Sequence, residues 1–326
     1  MIKIRKDRQG KKGECAMSKA EEFRLPSSDG RSQIHVMHWK PEKQAVAVLQ
    51  ISHGMIEHIR RYEECACALA KQGIAVIGPD QRGHGETACT EEDFGFFSEK
   101  NGASCIVREI YRVRKAAARR YPGIPHFILG HSMGSFFVRR YLLTYGRGEA
   151  GAILMGTGNQ PLPLLLLGDA VVRLEGMVHG ERFRSALLHQ LVLGSYNRRV
   201  GPPETESDWL SRDREKVTSY VEDPYCQFRF TCSAYRDFFD TMLLLKSRKQ
   251  LQKMPLTLPV LMMSGEEDPV GDYGKGIRSL FRRYQKLGLA DVKMKLYPGA
   301  RHELLNETNR EEVISEIASW IFSHLA

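Results

Sequence analysis

Short apolar runs and helix-like segments alternate along most of this chain, and this alternation restricts the possible folds more than any other feature. Seven runs with strand character end in glycine or proline: 32–41, 45–54, 74–85, 125–130, 151–158, 258–265 and 292–299. Segments with helical spacing lie between or after them: 62–73, 104–121, 132–145, 274–287 and 310–325. Nearly continuous apolar strands separated by helices are typical of a parallel sheet covered on both faces. We therefore predict an α/β fold with a mostly parallel central sheet covered by helices.

The alternation stops between Asn159 and about Lys253. This interval is rich in leucine and aromatic residues, and a polar linker at 197–215 joins its helical stretches. We predict a mainly helical insertion over the strand ends, and the alternative is a few ordinary crossover helices of the core. The predicted divisions are a disordered basic arm at 1–20, a first core part at 21–158, a helical cap at 159–253 and a second core part at 254–326.

The first nineteen residues carry much of the positive charge. They hold seven Lys or Arg against Asp7 and Glu14, an excess of five within a total of +9. We interpret them as a solvated tail or as an over-extended start with Met17 as the initiator; the less favoured alternative is a tether to an anionic surface or nucleic acid. Because the remaining chain is only mildly basic, no nucleic-acid partner is expected.

The basic start and the cysteines both favour a cytoplasmic location. No apolar segment follows the basic residues as in a secretory signal, and no apolar run approaches the roughly 18 residues of a membrane span. Seven cysteines form no CxxC pair, so neither a disulfide framework nor a zinc site is indicated. We expect reduced thiols.

The motif Gly130-His131-Ser132-Met133-Gly134 lies where an apolar strand meets a helix. A sharp strand-to-helix turn lifts a serine out of the sheet and crowds the neighbouring chain, which small residues two positions away relieve. The helix directs its amide groups and positive dipole end at the reacting centre. In this context Ser132 is a candidate nucleophile, and the amide of Met133 is a candidate oxyanion donor.

An acid and a histidine are expected after later strands, in that order. Asp268 follows the strand at 258–265, and His302 follows the strand at 292–299. Rival acids nearby are Glu266, Glu267 and Asp272. Of the two histidines after the acid loop, His324 lies inside the terminal helix.

A second oxyanion donor is expected from the loop after an early central strand. Gly54 allows a tight turn there, and the amide of Met55 is the best candidate.

The segments HGMIEH, PDQRGHGET, GHSMGS, SGEEDPVGDYGKG and YPGARHELLNE together resemble the serine-hydrolase branch of the α/β-hydrolase superfamily, which includes monoacylglycerol lipases and bacterial lysophospholipases. The resemblance implies Ser132 as nucleophile, His302 as general base and then acid, and Asp268 as the carboxylate that orients His302. It implies the amides of Met55 and Met133 as the oxyanion hole, and no metal or organic cofactor.

The resemblance implies a serine hydrolase that cleaves carboxylic esters, with monoacylglycerols or lysophospholipids as the leading substrates. Alternatives are an aminopeptidase or amidase of the same fold and a non-catalytic receptor or scaffold. The family commonly has a small residue where Met55 stands, so this side chain is expected to narrow the alcohol side of the pocket. The oligomeric state stays open.

For several residues, both a structural role and a functional role are considered. Structural roles in the loops are favoured for Glu57, His58, Arg82, Gly83, His84 and Gly85, and His53 is interpreted as a packed loop residue. Aromatic residues of the insertion form its own core or line an acyl pocket: Tyr225, Phe228, Phe230, Tyr235 and Phe238. The helix near 162–174 either packs on the core or docks on lipid aggregates.

Overall fold

The computed structural model describes residues 20–30 and 32–325, and a single sheet of eight strands organises them. The arm predicted at 1–20 therefore lies outside the described residues except for Ala20. The strands are β1 (Glu21–Pro26), β2 (Gln33–Trp39), β3 (Ala47–Ser52), β4 (Ile74–Pro79), β5 (His126–His131), β6 (Gly151–Met155), β7 (Val260–Gly265) and β8 (Val292–Tyr297).

The strands lie in the order β1-β2-β4-β3-β5-β6-β7-β8. The pairs β1 with β2 and β2 with β4 are antiparallel, and every other neighbouring pair is parallel. The predicted α/β class with a mostly parallel sheet is confirmed. Because β3 to β8 run the same way, their carboxyl ends and the loops that follow meet at one edge of the sheet.

Helices cover both faces of this sheet. The core helices are α1 (Glu63–Ala70), α2 (Gly102–Arg120), α3 (Met133–Tyr145), α9 (Lys275–Leu287) and α10 (Arg310–Phe322). Leu69 of α1 and Ile317 of α10 belong to one buried cluster, and Ile110 of α2 and Phe137 of α3 belong to another. The apolar residues of the strands divide among these two clusters and a third that includes Val36, Val48 and Ile77, which is why the strands read as unbroken apolar runs.

The chain leaves the sheet after Met155 and returns to it at Val260. Five α-helices lie between: α4 (Leu162–His179), α5 (Ala186–Leu193), α6 (Arg214–Glu222), α7 (Cys232–Leu244) and α8 (Arg248–Leu251). In the part of the chain that the structure describes, no helix is both long enough and apolar enough to cross a membrane.

Two elements differ from the sequence prediction. The edge strand β1 was not predicted, because its side chains alternate between half-buried and exposed and include three charged residues. Helix α6 begins inside the end of the polar linker. Its start is fixed by Asp213, whose carboxylate accepts hydrogen bonds from the amides of Glu215 and Lys216.

Candidate active site

Ser132 occupies the turn between β5 and α3. Its backbone has φ 49° and ψ −123°, a conformation that side chains other than glycine rarely adopt. Such strain persists only where the surrounding structure enforces it, and it is characteristic of functional turns. The turn places the serine at the N-terminus of a helix of thirteen residues.

The two glycines of the motif lie where the chain is crowded. A methyl group at Gly130 would stand 2.6 Å from Cα of Ser135. One at Gly134 would overlap the carbonyl oxygens of Ser52 and His53 at the end of β3. Helix α3 therefore approaches the neighbouring strand too closely for any side chain at these positions.

Asp268 and His302 are hydrogen-bonded to each other. Nδ1 of His302 lies 2.9 Å from Oδ1 of Asp268, and both residues are buried. The carboxylate also accepts hydrogen bonds from the amide of Val270 at 2.9 Å and from the hydroxyl of Ser264 at 3.1 Å. These bonds fix the carboxylate, and the carboxylate in turn fixes the plane of the imidazole.

Burial raises the pKa of Asp268, but the charge and hydrogen bond of His302 and the other two donors outweigh it. The pKa of this carboxyl therefore lies below its usual value, and the group is ionised at neutral pH. A fixed anion at Nδ1 leaves Nε2 as the free ring nitrogen for proton transfer.

The rival residues do not form this pair. Glu267 and Asp272 are exposed and Glu266 is half-buried. Among the described residues, none of these three hydrogen-bonds to the imidazole of His302. His324 is hydrogen-bonded to Asp291 at 2.9 Å, at the end of α10.

Ser132 and His302 both lie next to residues Met155 and Gly156 at the end of β6. The amide of Ser132 donates to the carbonyl of Met155 at 2.9 Å. A methyl group at the next residue, Gly156, would lie 2.9 Å from Cε1 of His302. Within residues 20–30 and 32–325, no hydrogen bond joins the serine hydroxyl to the imidazole. Hydrogen bonds between catalytic groups are often completed only when substrate is bound.

The loop after β3 approaches Ser132 from the other side. A methyl group at Gly54 would lie 3.1 Å from Cβ of Ser132, and the backbone at Ile56 has φ 57°. Met55, between them, is half-buried. Met133 is the first residue of α3, so its amide has no acceptor within the helix. The two amides predicted as oxyanion donors thus lie in the two chain segments that flank the serine.

A buried carboxylate holds this loop against the serine turn. Oε1 of Glu57 accepts hydrogen bonds from the amide of Gly54, the hydroxyl of Tyr62 at 2.9 Å and Nδ1 of His131 at 3.0 Å. Burial raises the pKa of Glu57, but His131 and Arg61 outweigh it and hold the pKa well below its usual value. Burial lowers the pKa of His131, but the hydrogen bond and the charge of Glu57 raise it by more. This pKa therefore lies above its usual value.

The same network reaches the loop of His302. Arg61 bonds both oxygens of Glu303, at 2.6 and 2.7 Å, and Nε2 of His131 lies 3.4 Å from the carbonyl oxygen of His302. Sequence reasoning missed His131, Arg61 and Glu303 as supporting residues. His131 and Glu303 lie within the motif segments and Arg61 lies three residues after HGMIEH, but this proximity does not identify their partners.

Two further histidines support the loop after β3. Nε2 of His53 accepts a hydrogen bond from the amide of Gln81 at 2.9 Å, and Nε2 of His84 accepts one from the amide of Ile56 at 3.3 Å. Burial lowers the pKa of His84 to about 3. Its ring is therefore neutral at physiological pH, as an acceptor for an amide must be.

A cleft of about 1800 Å³ opens beside the loop after β3. Ile56 and His58 of the core line it, as do Trp209, Tyr225 and Phe228 from the segment between β6 and β7. Ser132 does not line this cleft. Trp209 links the two, because its indole packs on the imidazole of His302 with ring centroids 4.9 Å apart.

The aromatic residues of the segment between β6 and β7 divide into two groups. Phe230, Tyr235 and Phe238 are buried, and Phe238 packs on Phe136 of α3. The side chains of Tyr225 and Phe228 face the cleft instead.

Among the described residues, two clusters have donor atoms close enough to hold a metal ion. His58, Asp223 and Cys226 form one, and Glu22, His35 and Glu86 form the other. In the first cluster Nε2 of His58 is hydrogen-bonded to Asp223 at 2.9 Å. Neither cluster includes Ser132, Asp268 or His302.

Comparison with known proteins decides the family. A family model described as serine aminopeptidase, S33, matches residues 43–309. The chain belongs to this family of α/β-hydrolases.

Similar proteins extend this S33 assignment over nearly the whole chain. A monoacylglycerol lipase of Mycolicibacterium smegmatis is 29% identical over 293 residues, which are 88% of this chain and 92% of that protein. A monoglyceride lipase of Mus musculus is 29% identical over 313 residues, 93% of this chain and 90% of that protein. The structure of a thermostable carboxyl esterase from Bacillus coagulans in complex with glycerol has a TM-score of 0.87 at 28% identity, covering 95% and 100% of the two chains. The resemblance to the monoacylglycerol lipase branch is confirmed for this S33 hydrolase.

Proposed function

We propose that this chain hydrolyses monoacylglycerols through an acyl-enzyme on Ser132. The chain is a carboxylic ester hydrolase, in line with the lipases and the esterase that it resembles. The observation that carries the mechanism is the buried His302–Asp268 hydrogen bond of 2.9 Å beside the strained serine turn.

In the proposed reaction Ser132 attacks the ester carbonyl while Nε2 of His302 takes the hydroxyl proton. Asp268 holds the Nδ1–H and stabilises the imidazolium that forms. The amides of Met55 and Met133 donate hydrogen bonds to the oxyanion. The alcohol leaves with the proton from His302, and water activated by the same imidazole then releases the acid.

We propose that the head group of the substrate occupies the cleft that Trp209 links to His302, and an uncharged head group fits this cleft better than a phosphate does. Seven lining residues are acidic: Asp80, Glu86, Glu91, Glu206, Glu215, Glu222 and Asp223. Four are arginines: Arg60, Arg184, Arg214 and Arg229. This excess of acidic groups repels an anionic lysophospholipid and does not affect a glycerol ester. We therefore favour monoacylglycerols over lysophospholipids.

We further propose that residues 159–253 act as a cap that contacts lipid surfaces. Several of its large apolar side chains are exposed, all on α4 or α5: Leu164, Leu166, Leu167, Leu174, Met177, Val178, Leu187 and Leu191. A group of this size on one segment is characteristic of interaction sites. The proposed location is the cytoplasm, supported by the five described cysteines Cys65, Cys89, Cys105, Cys226 and Cys232, which are free thiols.

The experiment compares wild type with Ser132→Ala on monoacylglycerols, an anionic lysophospholipid and amino-acid p-nitroanilides. We expect hydrolysis of the monoacylglycerol and fluorophosphonate labelling in the wild type only. Faster cleavage of the p-nitroanilides would instead establish the aminopeptidase alternative. Activity retained by a well-folded Ser132→Ala protein would refute the assignment of the nucleophile.

A further inference from the structure

Three cationic side chains lie together where α3, the turn after β6 and the end of α7 meet. Arg139 belongs to α3, and Lys246 follows α7; both line one small cavity. Arg283 of α9 joins them, since its Nη2 donates to the carbonyl oxygen of Lys246 at 2.6 Å.

Within the part of the chain that the structure describes, no carboxylate forms an ion pair with any of the three. Nη1 of Arg139 donates to the carbonyl of Gly158 at 2.9 Å, and Nζ of Lys246 donates to Oδ1 of Asn159 at 2.6 Å. Both acceptors are neutral, and Cζ of Arg139 also lies 5.1 Å from the centroid of the Phe136 ring, so these contacts include no anionic group.

Arg139 is the most constrained of the three. Its side chain is only 2% exposed, and its Nε has no hydrogen-bond partner among the described residues. A guanidinium keeps its charge at any physiological pH, so burial cannot neutralise it by deprotonation. A buried charge without a counter-charge strongly destabilises the folded state.

The pKa values of the two neighbouring cations show the effect of this excess of positive charge. Burial, and then the charges of Arg283 and Arg139, lower the pKa of Lys246 to about 8. Burial and the charge of Arg139 also lower the pKa of Arg283. The groups that act on these two cations thus include no carboxylate.

We propose that Arg139 and Lys246 bind a single halide-sized anion, chloride in the cell, beside the turn at 158–160. The cavity that they line has a volume of about 10 Å³, which holds one water-sized guest and excludes a carboxylate or phosphate. Of its other polar side chains, Asn159 donates from Nδ2 to the hydroxyl of Ser279 and Gln160 donates from Nε2 to the carbonyl oxygen of Val270, so the two cations supply the donors for the anion. Phe136 and Leu165 contribute apolar walls that keep the anion desolvated.

This site connects the serine helix to the insertion. Helix α3 starts at Met133, directly after Ser132, and Lys246 lies at the end of the helical segment between β6 and β7. A bound anion attracts both Arg139 of α3 and Lys246 after α7, and this attraction holds the two elements together. The proposal does not depend on the ester chemistry.

Thermal unfolding in chloride against gluconate, at equal ionic strength, tests the site. We expect Tm to be about 2–4 °C higher in saturating chloride, because a ligand that binds only the folded state stabilises it. Lys246→Met should lose this chloride-specific increment. The matched control, Lys249→Met, removes an exposed lysine of α8 and should keep it. Equal Tm values in the two salts, or loss of the increment in both variants, would overturn the proposal.

Crystals grown in bromide give an independent measurement. We expect one anomalous peak within hydrogen-bonding distance of the Arg139 guanidinium, absent from crystals of Arg139→Met. A peak that has no counterpart in the unfolding data would show an adventitious ion only and would count against the site. No peak at Arg139 in well-ordered crystals would overturn it as well.

Discussion

The indole of Trp209 packs on the imidazole of His302 with ring centroids 4.9 Å apart, and the carbonyl of Trp209 accepts the amide of His302 at 3.4 Å. Trp209 belongs to the segment between β6 and β7, whereas His302 follows β8. The imidazole also lies beside the ring of His131, with centroids 4.8 Å apart. The proposed base therefore packs against a residue of β5 and a residue of the segment between β6 and β7.

Trp209→Ala should lower kcat on a short-chain p-nitrophenyl ester by roughly tenfold to a hundredfold, because a small displacement of the imidazole is costly to catalysis. Trp209→Phe retains an aromatic face and should stay within a few-fold of wild type. Steady-state kinetics with Tm as a folding control measure this. An unchanged kcat in Trp209→Ala would show that the indole does not position the base.

Asp268→Asn should lower kcat by about 10⁴, since the amide no longer stabilises the imidazolium or fixes the tautomer. The fold should survive, because the substitution preserves shape. Asp272→Asn is the matched control, as Asp272 is exposed and asparagine tolerates its backbone φ of 49°. Acyl-enzyme burst kinetics compare the two variants. A large loss in Asp272→Asn alone would show that the acid was misassigned.

Gly134→Ala should destabilise the protein by about 3 kcal/mol or more, because the new methyl group overlaps two backbone carbonyl oxygens. Gly148→Ala is the control, since a methyl group there meets nothing closer than 3.8 Å. Urea unfolding gives both free energies. Similar values for the two variants would mean that α3 is not tightly packed against the end of β3.

Leu167→Glu should weaken binding to phospholipid vesicles several-fold, because Leu167 of α4 is 64% exposed in the proposed lipid-contacting surface. Hydrolysis of a water-soluble ester should be unchanged. Leu256→Glu alters a residue that is 45% exposed outside this segment and should bind vesicles like wild type. Co-sedimentation measures the bound fraction. Equal binding by all three proteins would contradict the proposed cap surface.

Most of the sheet could be predicted from the sequence because β3 to β8 are buried on both faces or end in glycine-rich turns. Strand β1 could not, because an edge strand with alternating polar residues leaves no apolar run. Helix α6 was hidden because charged and polar residues outnumber its apolar ones, and the capping contact of Asp213 marks its start. These elements depend on local contacts more than on hydrophobic periodicity.

The Asp268–His302 hydrogen bond follows the predicted order of strands, since topology places the ends of β7 and β8 side by side. The buried network of Glu57, His131 and Arg61 could not be predicted from the sequence. Its partners lie up to 74 residues apart, and no periodic pattern joins them. A charged residue beside a motif does not reveal its partner until the fold is known.

Stability should fall as the pH drops below about 6.5, and His84 is one identifiable cause. Its pKa is about 3 in the folded protein against 6.5 as the ordinary value, so the unfolded chain binds the extra proton between these values. This contribution is complete above pH 6.5 and declines by about 1.4 kcal/mol per pH unit on acidification. His84→Gln should therefore show a shallower dependence of the unfolding free energy on pH, measured by urea titration from pH 7 to pH 5. His179→Gln, which replaces an exposed histidine, should keep the wild-type slope. An identical slope in all three proteins would show that His84 takes up its proton without unfolding.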